Sequence, residues 1–183
     1  VSHWEIAGTL TPVPATERPD LLAAPVAEAL TELTTAGSEP VGVVEIDPEL
    51  ADTAEFCATY SSPLSASANC VVVAGKRGGQ TRYAAALVLA TTRADVNNAV
   101  RRRLDVRKAS FAPMDEAVEL TGMAYGGITP IGLPSDWPIL VDSAVADSPE
   151  LVIGSGSRGG KLLVTGRLLA SLPGAEVVDG LAR

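Results

Sequence analysis

The chain has 183 residues, 46% of them hydrophobic and 4% aromatic, with a formal net charge of −8. That is one domain or a domain with a short arm, apolar enough for a sizeable core, so wholesale disorder is excluded. The acidic balance argues against whole-surface binding to nucleic acid, the few aromatics against an extended base-stacking platform, and the single histidine, His3, against zinc sites or a buried Ser-His-Asp triad.

Two cysteines, Cys57 and Cys70, are too few for a disulfide scaffold. No apolar run reaches the ~18 residues that span a bilayer, and the chain reads as soluble and cytoplasmic, with no membrane partner. The first residue is Val1 rather than Met, which leaves room for residues upstream.

Residues 1–19, with Pro12, Pro14 and Pro19, read as an extended arm with little structure of its own, ahead of a domain over 20–183. Pro25 suits the first turn of a helix in which Val26, Leu30 and Leu33 recur at helical spacing, ending near Gly37. Val41 to Ile46 reads as a strand. Asp52-Thr-Ala-Glu55 resembles a capping arrangement for a helix reaching Tyr60. Val71 to Ala74 and Tyr83 to Ala90 read as strands of an antiparallel hairpin with a mobile basic tip at Gly75–Gly79. The second is apolar on both faces and belongs centrally in the sheet.

Asp95 can cap a helix that turns Val96, Ala99, Val100 and Leu104 inward. Another begins near Pro113 and stops by Gly122. Strands follow at Pro138–Asp142, Leu151–Ile153, Lys161–Val164 and Ala175–Val178, with a helical turn from Thr165. The fold class is α+β, a single domain with a mixed, largely antiparallel sheet flanked by helices.

Charge is uneven. Nine of the fourteen basic residues lie between Lys76 and Lys108, opposed there only by Asp95 and Asp105. This is either a solvated face or a field able to hold a phosphodiester backbone.

The least generic segment is Met123 to Pro134, where Gly126, Gly127, Gly132, Pro130 and Pro134 crowd into one loop. Adjacent glycines let backbone N–H groups approach a ligand, and prolines restrict the loop, so it can offer preorganised amides to an ester carbonyl or a phosphate. A tight connection would use the same residues.

The run from Leu120 to Gly132 resembles the "LTGYxPGGVSPFG" signature of the YbaK/EbsC-type prolyl-tRNA editing family. Asp52 to Tyr60 with Ala68 to Val73 is similar to that family's "TAEEAA…AKTLVV" stretch. Pro138 to Asp142 and Gly154 to Gly159 are similar to its "PVVID" and "SAGRRG", so the likeness covers roughly residues 40 to 170 in family order. It implies hydrolysis, in trans, of the ester of mischarged, proline-type tRNA without metal or organic cofactor. The partners it implies are the aminoacylated acceptor end and an aminoacyl-tRNA synthetase, with no DNA.

On that resemblance the catalytic set is Asn69, Gly126, Gly127, Thr129 and Pro130, with Tyr125, Asp142, Gly154 and Ser155 contacting substrate. Lys76, Arg77, Arg101, Arg102 and Arg103 are the expected tRNA-binding residues. The pattern departs at one place: where the family has a lysine in "AKT", this chain has Asn69, which hydrogen-bonds but carries no charge. That departure also admits a binding module that has lost turnover. Lys76 and Arg77 could fold back over the cleft as a substitute. Cys70 is either a nucleophile or an inert thiol, Asp142 a contact or a cap, Tyr125 a gate or a packing residue, and Ser155 and Ser157 cleft walls or turn formers.

Overall fold

The structure is a computed structural model and describes residues 3–183. In chain order the elements are β1 (Val13–Pro14), α1 (Ala24–Thr35), β2 (Gly42–Glu45), α2 (Thr53–Tyr60), β3 (Ala68–Arg77) and β4 (Gln80–Leu89). A π turn over Val96–Val100 runs into α3 (Arg101–Leu104), followed by β5 (Ala109–Phe111), α4 (Met114–Thr121), β6 (Ile139–Asp142) and α5 (Ser143–Ala146). The chain ends with β7 (Leu151–Gly154), β8 (Gly160–Val164), α6 (Gly166–Ala170) and β9 (Ala175–Val178).

The class is α+β, and the strands divide into two sheets. One is antiparallel throughout, in the order β1-β2-β8-β7; the other is mixed, in the order β5-β3-β4-β6-β9. β4 is the central strand of the second, as its two apolar faces require. The main core lies between the sheets and under α1, built from Val26, Leu30, Val43, Leu87, Val141, Ile153 and Leu162 among others. The outer face of the five-stranded sheet packs Val73, Ala84 and Ala86 against Val100 and Leu104. The outer face of the four-stranded sheet, with Val44, Val152 and Leu163, is covered by Phe56 and Cys57 of α2 and by Trp4 and Ile6.

Two expectations change. The described part of the N-terminal segment is not loose: Trp4, Ile6, Ala7 and Ala15 are buried, and Val13–Pro14 adds an edge strand against β2. Its apolar residues find a sheet face that the sequence alone did not reveal. The β3–β4 hairpin has no long basic tip either. Pairing runs out to Arg77 and Gln80, the turn is the pair Gly78–Gly79, both at positive φ, and Lys76 and Arg77 therefore lie on a strand.

What positions the site is the seam between the sheets. A single parallel bridge, Ser67 to Val152, links the start of β3 to β7. Beyond it the two strands part, and the gap is walled by α2 and the glycine-rich loop.

Candidate functional site

A cleft of about 460 Å³ opens at that seam, within the size range of small-molecule pockets. Its walls come from four places: Asp52, Thr53 and Phe56 at the start of α2, Ser67 with Ala68 to Val72 of β3, Tyr125, Gly126 and Ile128 on the loop, and Val152 to Gly154 with Lys161 across the β7–β8 ladder. Phe111 and Ala112 close one end.

Lys161 is the residue that sequence reasoning missed. It is only 7% exposed, on the β8 face that it shares with Leu163. In the ladder it stands between Val44 of β2 and Gly154 of β7. Its Nζ lies 5.5 Å from the centroid of the Phe56 ring, a cation–π contact. Among the described residues no hydrogen bond or ion pair holds that ammonium. Burial lowers its pKa below the ordinary lysine value; Cys57 and Asp52 pull it back up and Arg158 lowers it further. A signal existed in the sequence: a lysine two residues before a core leucine in a strand otherwise apolar must share that leucine's face.

The glycine loop is clamped from one side and open on the other. Gly126 has φ +84°, and a Cβ there would collide with the Arg158 guanidinium, which donates to the Tyr125 carbonyl at 3.3 Å and sits 3.6 Å from Asp52 Oδ1. The Gly127 amide donates to Ala124 O at 2.9 Å and its carbonyl accepts from Gly156 N at 2.7 Å, so Gly127 is committed to the fold. The amides of Gly126 and Ile128, both on the cleft wall, have no partner within the described residues. A Cβ on Gly154 would lie 2.5 Å from Gly127 O, which is how closely the loop rests on β7.

Of the residues assigned from sequence, the cleft brings together Asn69, Tyr125, Gly126 and Gly154. Asn69 Oδ1 accepts from Thr53 Oγ1 at 3.0 Å, which aims its side chain across the cleft floor toward α2. Tyr125 is 55% exposed at the rim. Thr129 is fully buried, its hydroxyl without a partner, and Pro130 is buried behind it. Ser155 points away: its hydroxyl donates to Leu21 O at 2.8 Å and staples the N-terminal segment to the turn. Asp142 is buried where β6 enters α5, two strands from β3, and does not reach the cleft. Burial pushes the Cys70 thiol up to about 12, so at neutral pH it is a neutral wall, not a thiolate. No group of three or more His, Cys, Asp or Glu side chains gathers at metal-binding range among the described residues.

The aminoacyl-tRNA editing domain family matches residues 47–172, the stretch that builds every wall of this cleft. The chain belongs to that family. The editing domain also resembles solved structures over most of its length. A hypothetical protein, APE2540, superposes with a TM-score of 0.73 at 20% identity, covering 85% of this chain and 99% of the other. A structure described as a candidate trans-editing enzyme for prolyl tRNA synthetase gives 0.71 at 25% identity, covering 86% and 97%. A scaffold from epitope backbone grafting by computational design gives 0.71 at 23% identity, covering 86% and 97%.

The editing domain carries a second, more open hollow of about 730 Å³ beside the first, lined by Lys76, Arg107 and Lys108 with Thr81, Ser110, Pro113 and one carboxylate, Glu116. Strand β5 separates the two, Phe111 facing the cleft and Ser110 the basic hollow. Three of the other expected basic residues have partners within the protein. Arg77 pairs with Asp105, Arg103 with Glu176, and Arg101 Nε donates to Asn97 O at 2.8 Å. Arg101, Arg102 and Arg103 line neither hollow. No helix of the editing domain is long and apolar enough to cross a membrane among the described residues.

Proposed function

We propose that this editing domain acts in trans in the cytoplasm, hydrolysing the ester that joins a mismatched amino acid to the 3′ end of a transfer RNA, on tRNA of the proline type. The observation that carries the reading is a hollow of about 460 Å³ bordered by unpartnered main-chain donors at Gly126 and Ile128. Amides fixed by a clamped loop need no reorganisation as charge develops on an ester oxygen, and one such donor contributes about 10²–10³ in rate. The aminoacyl group enters between Asn69 and Gly126. A hydroxyl of the terminal ribose orients the attacking water, so proximity stands in for a histidine base.

The basic hollow of Lys76, Arg107 and Lys108 gives the acceptor stem a place to rest its phosphates on an otherwise acidic protein. DNA, which bears no aminoacyl ester, offers the cleft nothing to act on. The 25% identity to a structure described as a candidate trans-editing enzyme for prolyl tRNA synthetase supports action apart from the synthetase and the proline class of tRNA.

The test is incubation of the purified chain with a panel of mischarged tRNAs, proline-type tRNAs among them. Ester loss faster than in buffer on a subset of the panel supports the reading, and buffer-level loss throughout overturns it. A second reading, an aminoacyl-tRNA binder without turnover, is favoured by the uncharged Asn69. It predicts that tRNA still binds with a steep salt dependence while no ester is lost.

A further inference from the structure

We propose that Lys161, reaching into the cleft from β8, is the cation that receives the ester's carbonyl oxygen and holds the negative charge that gathers there when water attacks. The inference rests on the hydrolytic reading above and names the charged group of the same site.

Lys161 is buried without a counter-charge. An ammonium on a residue only 7% exposed normally comes with a carboxylate, and none is paired with it among the described residues. The nearest candidate, Asp52, is instead placed beside Arg158 at 3.6 Å, out at the rim. A methionine or leucine at this position would extend the apolar face of Leu163 and Val152 without any desolvation cost. The lysine is therefore unexplained by folding. It is explained by a ligand with negative charge or strong acceptor character.

Geometry then selects the acceptor. Phe56 backs the ammonium at 5.5 Å and the glycine loop rests on Gly154, its ladder partner, so the direction left open to it is the cleft that Lys161 lines. On the same cleft are the free amides of Gly126 and Ile128. Phosphates have an exposed basic hollow of their own on the far side of β5. The enclosed cation is left with the acyl oxygen.

The step balances simply. The oxygen of water bonds to the carbonyl carbon, the carbon–oxygen bond to ribose breaks, and the ribose oxygen takes a proton that originates in the water. The amino acid leaves as its carboxylate with release of one proton. Lys161 keeps its protons and donates hydrogen bonds to the carbonyl oxygen throughout. The titratable and charged groups that face it are Asp52 ahead of α2, Cys57 on α2, Cys70 on β3 and Arg158 on the β7–β8 turn. Since burial lowers its pKa, the charged form is lost at a lower pH than for a solvated lysine. Turnover corrected for buffer hydrolysis then declines on the alkaline side, and an arginine, which stays charged, abolishes that decline.

The experiment measures turnover against pH for the wild-type chain, Lys161→Met, Lys161→Arg and the double variant N69K/K161M, on mischarged tRNA that the wild type hydrolyses. Expected are a fall in kcat of about 100-fold or more in Lys161→Met with KM little changed, recovery of at least about tenfold in the double variant, and loss of the alkaline decline in Lys161→Arg. Folded Lys161→Met with kcat within about threefold of wild type overturns the inference and leaves hydrolysis standing. So does a rise in KM alone, which would mark ordinary ground-state binding. If Lys161→Met does not fold, the pH profile of Lys161→Arg decides: an unchanged alkaline limb overturns the proposal. A wild type inert across the panel removes the hydrolytic reading and this inference with it.

Discussion

Lys161 and Gly154 stand opposite each other across the β7–β8 ladder and both line the cleft, with the carbonyls of Gly127 and Ile128 seated where a side chain at Gly154 would lie. This one pair links the stability of the domain to its chemistry, because the charge that a ligand can use is a charge the fold must desolvate.

Replacing Lys161 by Met is expected to raise the thermal midpoint at pH 7 by a few degrees. The native pKa is lowered by burial, so between that value and the unfolded value of about 10.4 the unfolded chain binds more protons, and wild-type stability rises with pH. The advantage of the methionine variant should shrink across that window. Melts from about pH 6 to about pH 10 check this, and an advantage that grows with pH would contradict it.

Gly154→Ala should push the glycine loop off β7, since the new Cβ would lie 2.5 Å from the Gly127 carbonyl oxygen and backbone must move. Overpacking of this kind costs about 1–3 kcal/mol. A lowered midpoint in thermal unfolding, together with reduced turnover, is the expected result; an unchanged melt would show that the loop gives way freely.

Thr129 carries a fully buried hydroxyl with no partner. Thr129→Val keeps the shape and removes the unpaired group, and should stabilise the domain by about 1 kcal/mol. Denaturant unfolding measures the difference. A loss of stability would mean that the hydroxyl is partnered by water.

Cys70 should resist alkylation at about pH 8 in the native state and react promptly in denaturant, because burial pushes its thiol up to about 12. Cys70→Ala should retain turnover. Native-state labelling at the rate of a free thiol would refute the burial argument.

Lys76→Gln, Arg107→Gln and Lys108→Gln together should weaken tRNA binding and flatten its dependence on salt, by about 0.7 to 0.9 in the log–log slope for each phosphate that is no longer neutralised. Arg103→Gln alone should change the slope little, since that guanidinium already pairs with Glu176. Equilibrium titrations between low and moderate salt distinguish the two surfaces.

Much of the frame is legible in local pattern. The helical spacing of Val26 and Leu30 marks α1, Gly122 at φ +68° ends α4, and the doubly apolar β4 occupies the sheet centre. The elements that escape notice are β1, β5 and α5, with two, three and four residues, too short to show any period. The site is legible where it depends on backbone, at Gly126, and illegible where it depends on register. Asn69 lies in the stretch that resembles the family motif, so it draws attention. Lys161 sits ninety-two positions later on another sheet, and only the β2-β8-β7 pairing shows which way it points. Ser155 and Asp142 fail for the same reason in reverse: motif position names them, but one hydroxyl is tied to Leu21 and one carboxyl lies two strands away.

The single bridge at Ser67 and Val152, where two packed sheets join edge to edge, has a consequence for how the site is recognised in other chains. A pocket formed between separate walls can take its charge from either side. A comparison that scores one wall column by column is blind to a charge supplied from the other.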